Sequence, residues 1–83
     1  MNFIIDKDGN AAINPALVKK FFVERIFAEG WEETKNFRVS AELSENEDDV
    51  ILKEFISDNE DENYFAAKNY LAELVKNLNG GVK

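Results

Sequence analysis

The side chains of this sequence that could do chemistry are nearly all carboxylates. Glu45, Glu47, Asp48 and Asp49 crowd one stretch, and Asp58, Glu60, Asp61 and Glu62 crowd another soon after it. Carboxylates serve as general bases, as nucleophiles or as ligands for hard cations. The groups that usually complete such sites are missing. With no His and no Cys, the commonest general base, the thiolate nucleophile and the thiolate metal ligand are all excluded. Ser40, Ser44 and Ser57 have no imidazole to activate them, and no spacing of Lys against carboxylate singles out a pair. The expectation is a binding protein, not an enzyme, with no cofactor.

Two short motifs invite sharper readings. Asp6-Lys7-Asp8-Gly9-Asn10 has the composition of a calcium loop. With Gly9 at the glycine position of such a loop, however, the first ligand falls on Ile4 and the closing acid on Pro15. Neither can coordinate, so the segment reads as a hairpin turn. Gly80-Gly81 has the look of a ubiquitin-like terminus, but it follows a helical pattern and precedes Val82-Lys83. It reads as a helix stop. The acids between residues 45 and 49 would hold a hard cation only weakly, so no metal site is expected. Trp31 lies in Gly30-Trp31-Glu32-Glu33-Thr34-Lys35-Asn36, which reads as a polar loop between two strands. A Trp there is either folded back over the sheet or an anchor for a partner.

The charge is concentrated. The net charge is −7, yet residues 44–63 alone hold nine acids against one base, Lys53. Such a segment repels phosphate backbones and favours a protein with a basic surface. It also serves simply to keep a small domain in solution. The chain starts without the basic residues and long apolar run of a leader peptide, and nothing approaches the ~20 apolar residues needed to span a bilayer. The expected compartment is the cytoplasm.

The elements that must position these residues follow from local patterns. At 83 residues there is room for one domain. Phe3-Ile4-Ile5 and Ala11-Ala12-Ile13 flank the Asp-Gly-Asn turn as a short hairpin, and Asn14-Pro15 ends it. Over residues 15–29, Asn14, Pro15 and Gly30 stand where helix caps belong. Against a helix, Lys19, Lys20, Glu24, Arg25 and Glu29 scatter around the whole wheel, while Phe21, Phe22, Val23, Ile26 and Phe27 are strand formers. A strand with a bulge, or one covered on both sides, accounts for the imperfect alternation. Phe37, Val39, Ala41 and Leu43 alternate cleanly with Arg38, Ser40 and Glu42 as a half-buried strand, and residues 50–56 form the next. Ser57, Asp58 and Asn59 offer caps for a final helix, whose stripe is Tyr64, Ala67, Leu71, Leu74, Val75 and Leu78.

The second half, from Phe37-Arg38-Val39 through residues 50–55 to Ala67, Tyr70-Leu71, Leu74 and Leu78, resembles small uncharacterised bacterial and phage proteins. In these a strand meander ends in a helix, closing on a phrase of the form f-x-s-x-x-x-A-x-x-y-L-x-x-L. Ile13-Asn14-Pro15 is similar to the opening of that pattern. The resemblance spans most of the chain and is carried by core positions, so it implies fold and no functional residue.

The expected fold is α+β: a mostly antiparallel meander of about five short strands with one C-terminal helix over a face. The alternative places a second helix at 15–29 on a smaller sheet. The expected function is a non-catalytic, acidic protein-binding module, its contact surface built from Trp31, Glu45, Glu47, Asp48, Asp49, Asp58, Glu60, Asp61 and Glu62. Two other readings stand beside it. One is a phage or mobile-element inhibitor whose carboxylates mimic nucleic-acid phosphates and block a basic groove. The other is a structural protein that forms homo-oligomers.

Overall fold

The computed structural model describes residues 3–44 and 48–80. Asp6 organises its first turn. One carboxylate oxygen accepts the N–H groups of Asn10 at 2.8 Å and Ala11 at 3.3 Å, and Gly9 takes φ of 74°. The turn joins β1 (Ile4–Ile5) to β2 (Ala12–Ile13) as an antiparallel hairpin, as the Asp-Gly-Asn signal implies. Nothing lies within 4 Å of where a Cβ on Gly9 would stand, so a side chain there meets only the left-handed backbone. Gly9→Ala should therefore cost about 1–2 kcal/mol, seen as a lower urea midpoint at unchanged slope.

The cap signals at Asn14-Pro15 are genuine but serve a single 3-10 turn, Pro15–Leu17. The Asn14 side chain accepts the N–H of Ala16 at 3.0 Å, and by Val18 the backbone is extended. From there β3 (Val18–Ala28), β4 (Glu32–Leu43) and β5 (Val50–Phe55) form an antiparallel sheet in the order β3-β4-β5. Residues 18–28 are thus a strand, not a helix. Two irregularities in the β3–β4 register, at Val18/Lys20 and Arg25/Phe27, are why its alternation is imperfect. The five strands divide into a two-stranded and a three-stranded sheet rather than one meander, and β3 and β4 are long.

The expected polar loop after Gly30 is mostly strand. Only Glu29–Trp31 turns, and β4 begins at Glu32. Side chains carry the ladder across the irregular stretch. Thr34 Oγ1 donates to the Ile26 carbonyl and accepts the N–H of Asn36, and Arg25 Nη1 donates to the Thr34 carbonyl at 2.6 Å. Those bonds let a polar sequence continue as sheet.

The core lies over β4. Phe37, Val39, Ala41 and Leu52 of the sheet pack with Ile4 and Ile13 of the hairpin and with Ala67 of α1 (Glu60–Gly80). Tyr70, Leu71, Leu74 and Leu78 flank that cluster, while Tyr64 and Val75, at the margins of the helix stripe, stay partly exposed. Asn59 caps the helix through the N–H of Glu62. The helix runs through Gly80, and Gly81 of the expected stop lies outside the described residues.

Hairpin and helix therefore share one face of the sheet. The hairpin is also tied to the outer edge of β5, where the Lys7 N–H donates to the Ile51 carbonyl at 3.0 Å. On the opposite face Ser40 is fully buried, where alternation puts a solvent-facing residue. Its small side chain sits between Phe22 and Ile51 in register, and its hydroxyl donates to Glu24 Oε2 at 3.0 Å, the oxygen that also accepts from Arg38 Nε at 2.9 Å. Among the described residues, no helix is long and apolar enough to cross a membrane.

Candidate functional site at the β3–β4 hairpin tip

Ala28 and Glu32 are the last pair of the β3–β4 ladder, so Glu29, Gly30 and Trp31 make the whole connection. Gly30 and Trp31 are both left-handed, with φ of 75° and 63°. Glycine accepts that backbone freely. For an L-residue with a Cβ it costs about 1–2 kcal/mol, and for a bulky side chain it is rare. The ring of Trp31 gains little packing in exchange. It is 84% exposed and touches Phe27 edge-on, with centroids 6.2 Å apart. Phe27 is itself about half exposed, and a shallow groove of about 350 Å³ runs between the two rings and the turn. Glu29 lines it, and Glu32 and Glu33 follow Trp31 at the start of β4, all three exposed.

The base of this hairpin is stiff. Arg25 Nη1 donates to Glu60 Oε1 at 2.5 Å as well as to the Thr34 carbonyl, and its guanidinium lies 4.8 Å from the Phe37 ring centroid. The hydrogen bond that Arg25 donates to Glu60 pushes its pKa further up against the opposing effect of burial, with attraction to Glu60 and Glu33 adding to the rise. Beside it Asn63, 4% exposed, fastens the first turn of α1 to the sheet. Its Nδ2 donates to the carbonyls of Lys35 at 2.8 Å and Ser57 at 3.1 Å, and its Oδ1 accepts from Ser57 Oγ at 2.8 Å.

The structure divides the acids expected to form one surface. Asp58, Glu60, Asp61 and Glu62 lie around the start of α1, next to the hairpin base. Asp48 and Asp49 precede β5 and so lie at its other end, roughly 20 Å away for a six-residue strand. Glu45 and Glu47 fall outside the described residues. Trp31 does not fold back over the sheet, because the left-handed turn throws its ring outward. The site gains Phe27, Glu29, Glu32 and Glu33. Their signal was the unbroken run Glu29-Gly30-Trp31-Glu32-Glu33, an aromatic bracketed by acids. Among the described residues no three acids come together as metal ligands would. Neither family models, nor curated proteins, nor solved structures gave a match to this chain.

Proposed function

We propose that this protein is a non-catalytic binding module that presents the Trp31 hairpin tip to a basic segment of a partner protein. The observation that carries the reading is Trp31 itself, held in a costly backbone conformation at nearly full exposure. Stability alone favours Gly or Asn at such a turn position. Backbone strain kept at an exposed aromatic, with little packing gained in return, supports a contact role for it. The chemistry around it selects the partner. An Arg or Lys side chain can lie on the indole face while Glu29, Glu32 and Glu33 take its charge. The division of the acids between two ends favours this local contact over a long phosphate-like row.

Trp31 is the only Trp, so its emission reports on the tip directly. Titration with an Arg-rich peptide should shift and quench it to saturation, and an acidic peptide of equal length should not. Salt should weaken the effect, since charges are screened over about 10 Å at 0.1 M. Anisotropy of the labelled basic peptide should show binding lost in Trp31→Asn and slowed in Glu29→Lys/Glu32→Lys/Glu33→Lys. Unaltered affinity in both variants would remove the tip as the binding site.

A further inference from the structure

Strand β3 is rich in large apolar residues, with Val18, Phe21, Phe22, Val23, Ile26 and Phe27 among eleven residues. Not one of its residues is buried, whereas β4 beside it buries four. The two edges of the sheet are also treated differently. The β5 edge is capped by the Lys7 N–H on the Ile51 carbonyl. Beyond their ladder with β4, residues 19–27 take part in no other backbone–backbone bond among the described residues, Val18 giving its N–H to the Pro15 carbonyl. A long open edge of this kind is a template for another strand.

We infer that the strand it takes is β3 of a second copy of this chain, paired antiparallel about a two-fold axis at Phe22. A two-fold perpendicular to the sheet keeps each residue on its own face, so residue i faces residue j with i and j of equal parity. The charges choose among these registers. An axis at Glu24 sets like charges face to face, and so does an axis at Lys20. Axes at Phe21 and Val23 set each charged residue of the even face against an apolar one. With Phe22 on the axis, Lys20 of each copy faces Glu24 of the other, twice. The like-charged Lys19 and Arg25 fall opposite each other only at the Val18/Lys20 irregularity, where regular pairing has ended. Both residues lie on the open face of the sheet, where Lys20 Nζ already rests 5.3 Å from the Phe22 ring centroid. Glu24 can accept another donor, because both of its bonds use Oε2 and Oε1 takes none among the described residues.

The backbone agrees with this register. The Ile26 carbonyl points to β4, where it accepts from Thr34. By alternation Phe22 and Glu24 also point to β4, and Phe21 and Val23 point outward. Phe21 and Val23 of opposite copies then exchange backbone bonds, while the two Phe22 residues meet as a non-hydrogen-bonded pair with Cα atoms about 4.5 Å apart. The irregularities at Val18/Lys20 and Arg25/Phe27 confine regular pairing to residues 20–25. With the β5 edge capped, the assembly closes at two copies as one six-stranded sheet. The two Trp31 tips lie at opposite ends of that sheet and remain free, so the pairing does not depend on what the tips bind.

The chain has no cysteine, which makes the register directly testable. Phe22→Cys should form a disulfide-linked dimer under mild oxidation. Val23→Cys should not, because neighbours two positions out of register exceed the roughly 7 Å Cα limit for a disulfide. Sedimentation should give twice the 9.5 kDa chain mass at high concentration, falling to the single mass on dilution. Val23→Pro removes an outward N–H and should be monomeric, with a native far-UV spectrum. If that variant does not fold, Lys20→Glu tests the same edge. It sets acid against Glu24 of the other copy, besides ending the ion pair with Glu42 of its own chain, and should shift the equilibrium to a monomer that keeps the native far-UV spectrum. A native chain that sediments as a monomer at every concentration overturns the inference. So does a dimer that survives Lys20→Glu, or one that crosslinks through Val23→Cys and not through Phe22→Cys.

Discussion

Asn63→Ala should lower stability by about 2–3 kcal/mol, because it leaves buried partners without their bonds. For a domain of this size that is a fall in melting temperature of about 10–20 °C. The expectation rests on geometry, since at 4% exposure no water easily replaces the amide. Its donors reach the Lys35 and Ser57 carbonyls, and its oxygen holds the Ser57 hydroxyl. Asn63→Asp keeps the acceptor but loses both donor bonds. It also adds negative charge to a helix turn that already holds Glu60, Asp61 and Glu62. Its damage should be largest at neutral pH and ease as pH falls, because a carboxylate disfavoured in the folded state takes up its proton above its ordinary pKa. Thermal melts of both variants across pH check the assignment. Equal losses for Asn63→Ala and an exposed control such as Asn77→Ala would contradict it.

Trp31→Asn should separate stability from binding. Asn tolerates the left-handed backbone, so the fold should gain up to about 1 kcal/mol. Affinity for a basic partner should fall by at least about 2 kcal/mol, roughly thirtyfold, as for a central aromatic contact. A Trp that serves the core behaves the opposite way, and its loss would cost several kcal/mol. Chemical denaturation and peptide anisotropy on the same samples give both numbers. A variant that melts lower and binds as well as the native chain would show that Trp31 is a structural residue.

Much of the fold was legible because local chemistry and tertiary packing agree. Gly9 needed a positive φ, the residues around Phe37 alternate, and Asn59 precedes acids where a helix dipole favours them. The strand at residues 18–28 was legible only through the failure of the helical wheel, because its caps are real and serve one turn. The residues after Trp31 were not legible as strand, since their propensity is that of a loop. What holds them extended is Thr34 and Arg25 replacing ladder bonds across an irregularity, a long-range arrangement with no local signature. Ser40 and Asn63 were missed for the same reason, since a polar type signals exposure until a specific partner is found for it. The acids formed one block along the chain, yet β5 separates them in space. Distance along a strand, not sequence proximity, decides which charges act together.

The Lys7 bond to Ile51 has a consequence for how long the protein lasts in solution. The hairpin that carries it has strands of only two residues each, so it should be the first unit to open, well below the global unfolding free energy. Opening uncovers the outer edge of β5 together with the underside of Ile4 and Ile13. A molecule in that state offers β-pairing surfaces on both sides and can grow linearly. Amide exchange at Lys7 and turbidity on storage should then rise together in Gly9→Ala, at temperatures where the sheet and helix remain fully protected. Shelf life would be governed by the latch, and the melting temperature would not report it.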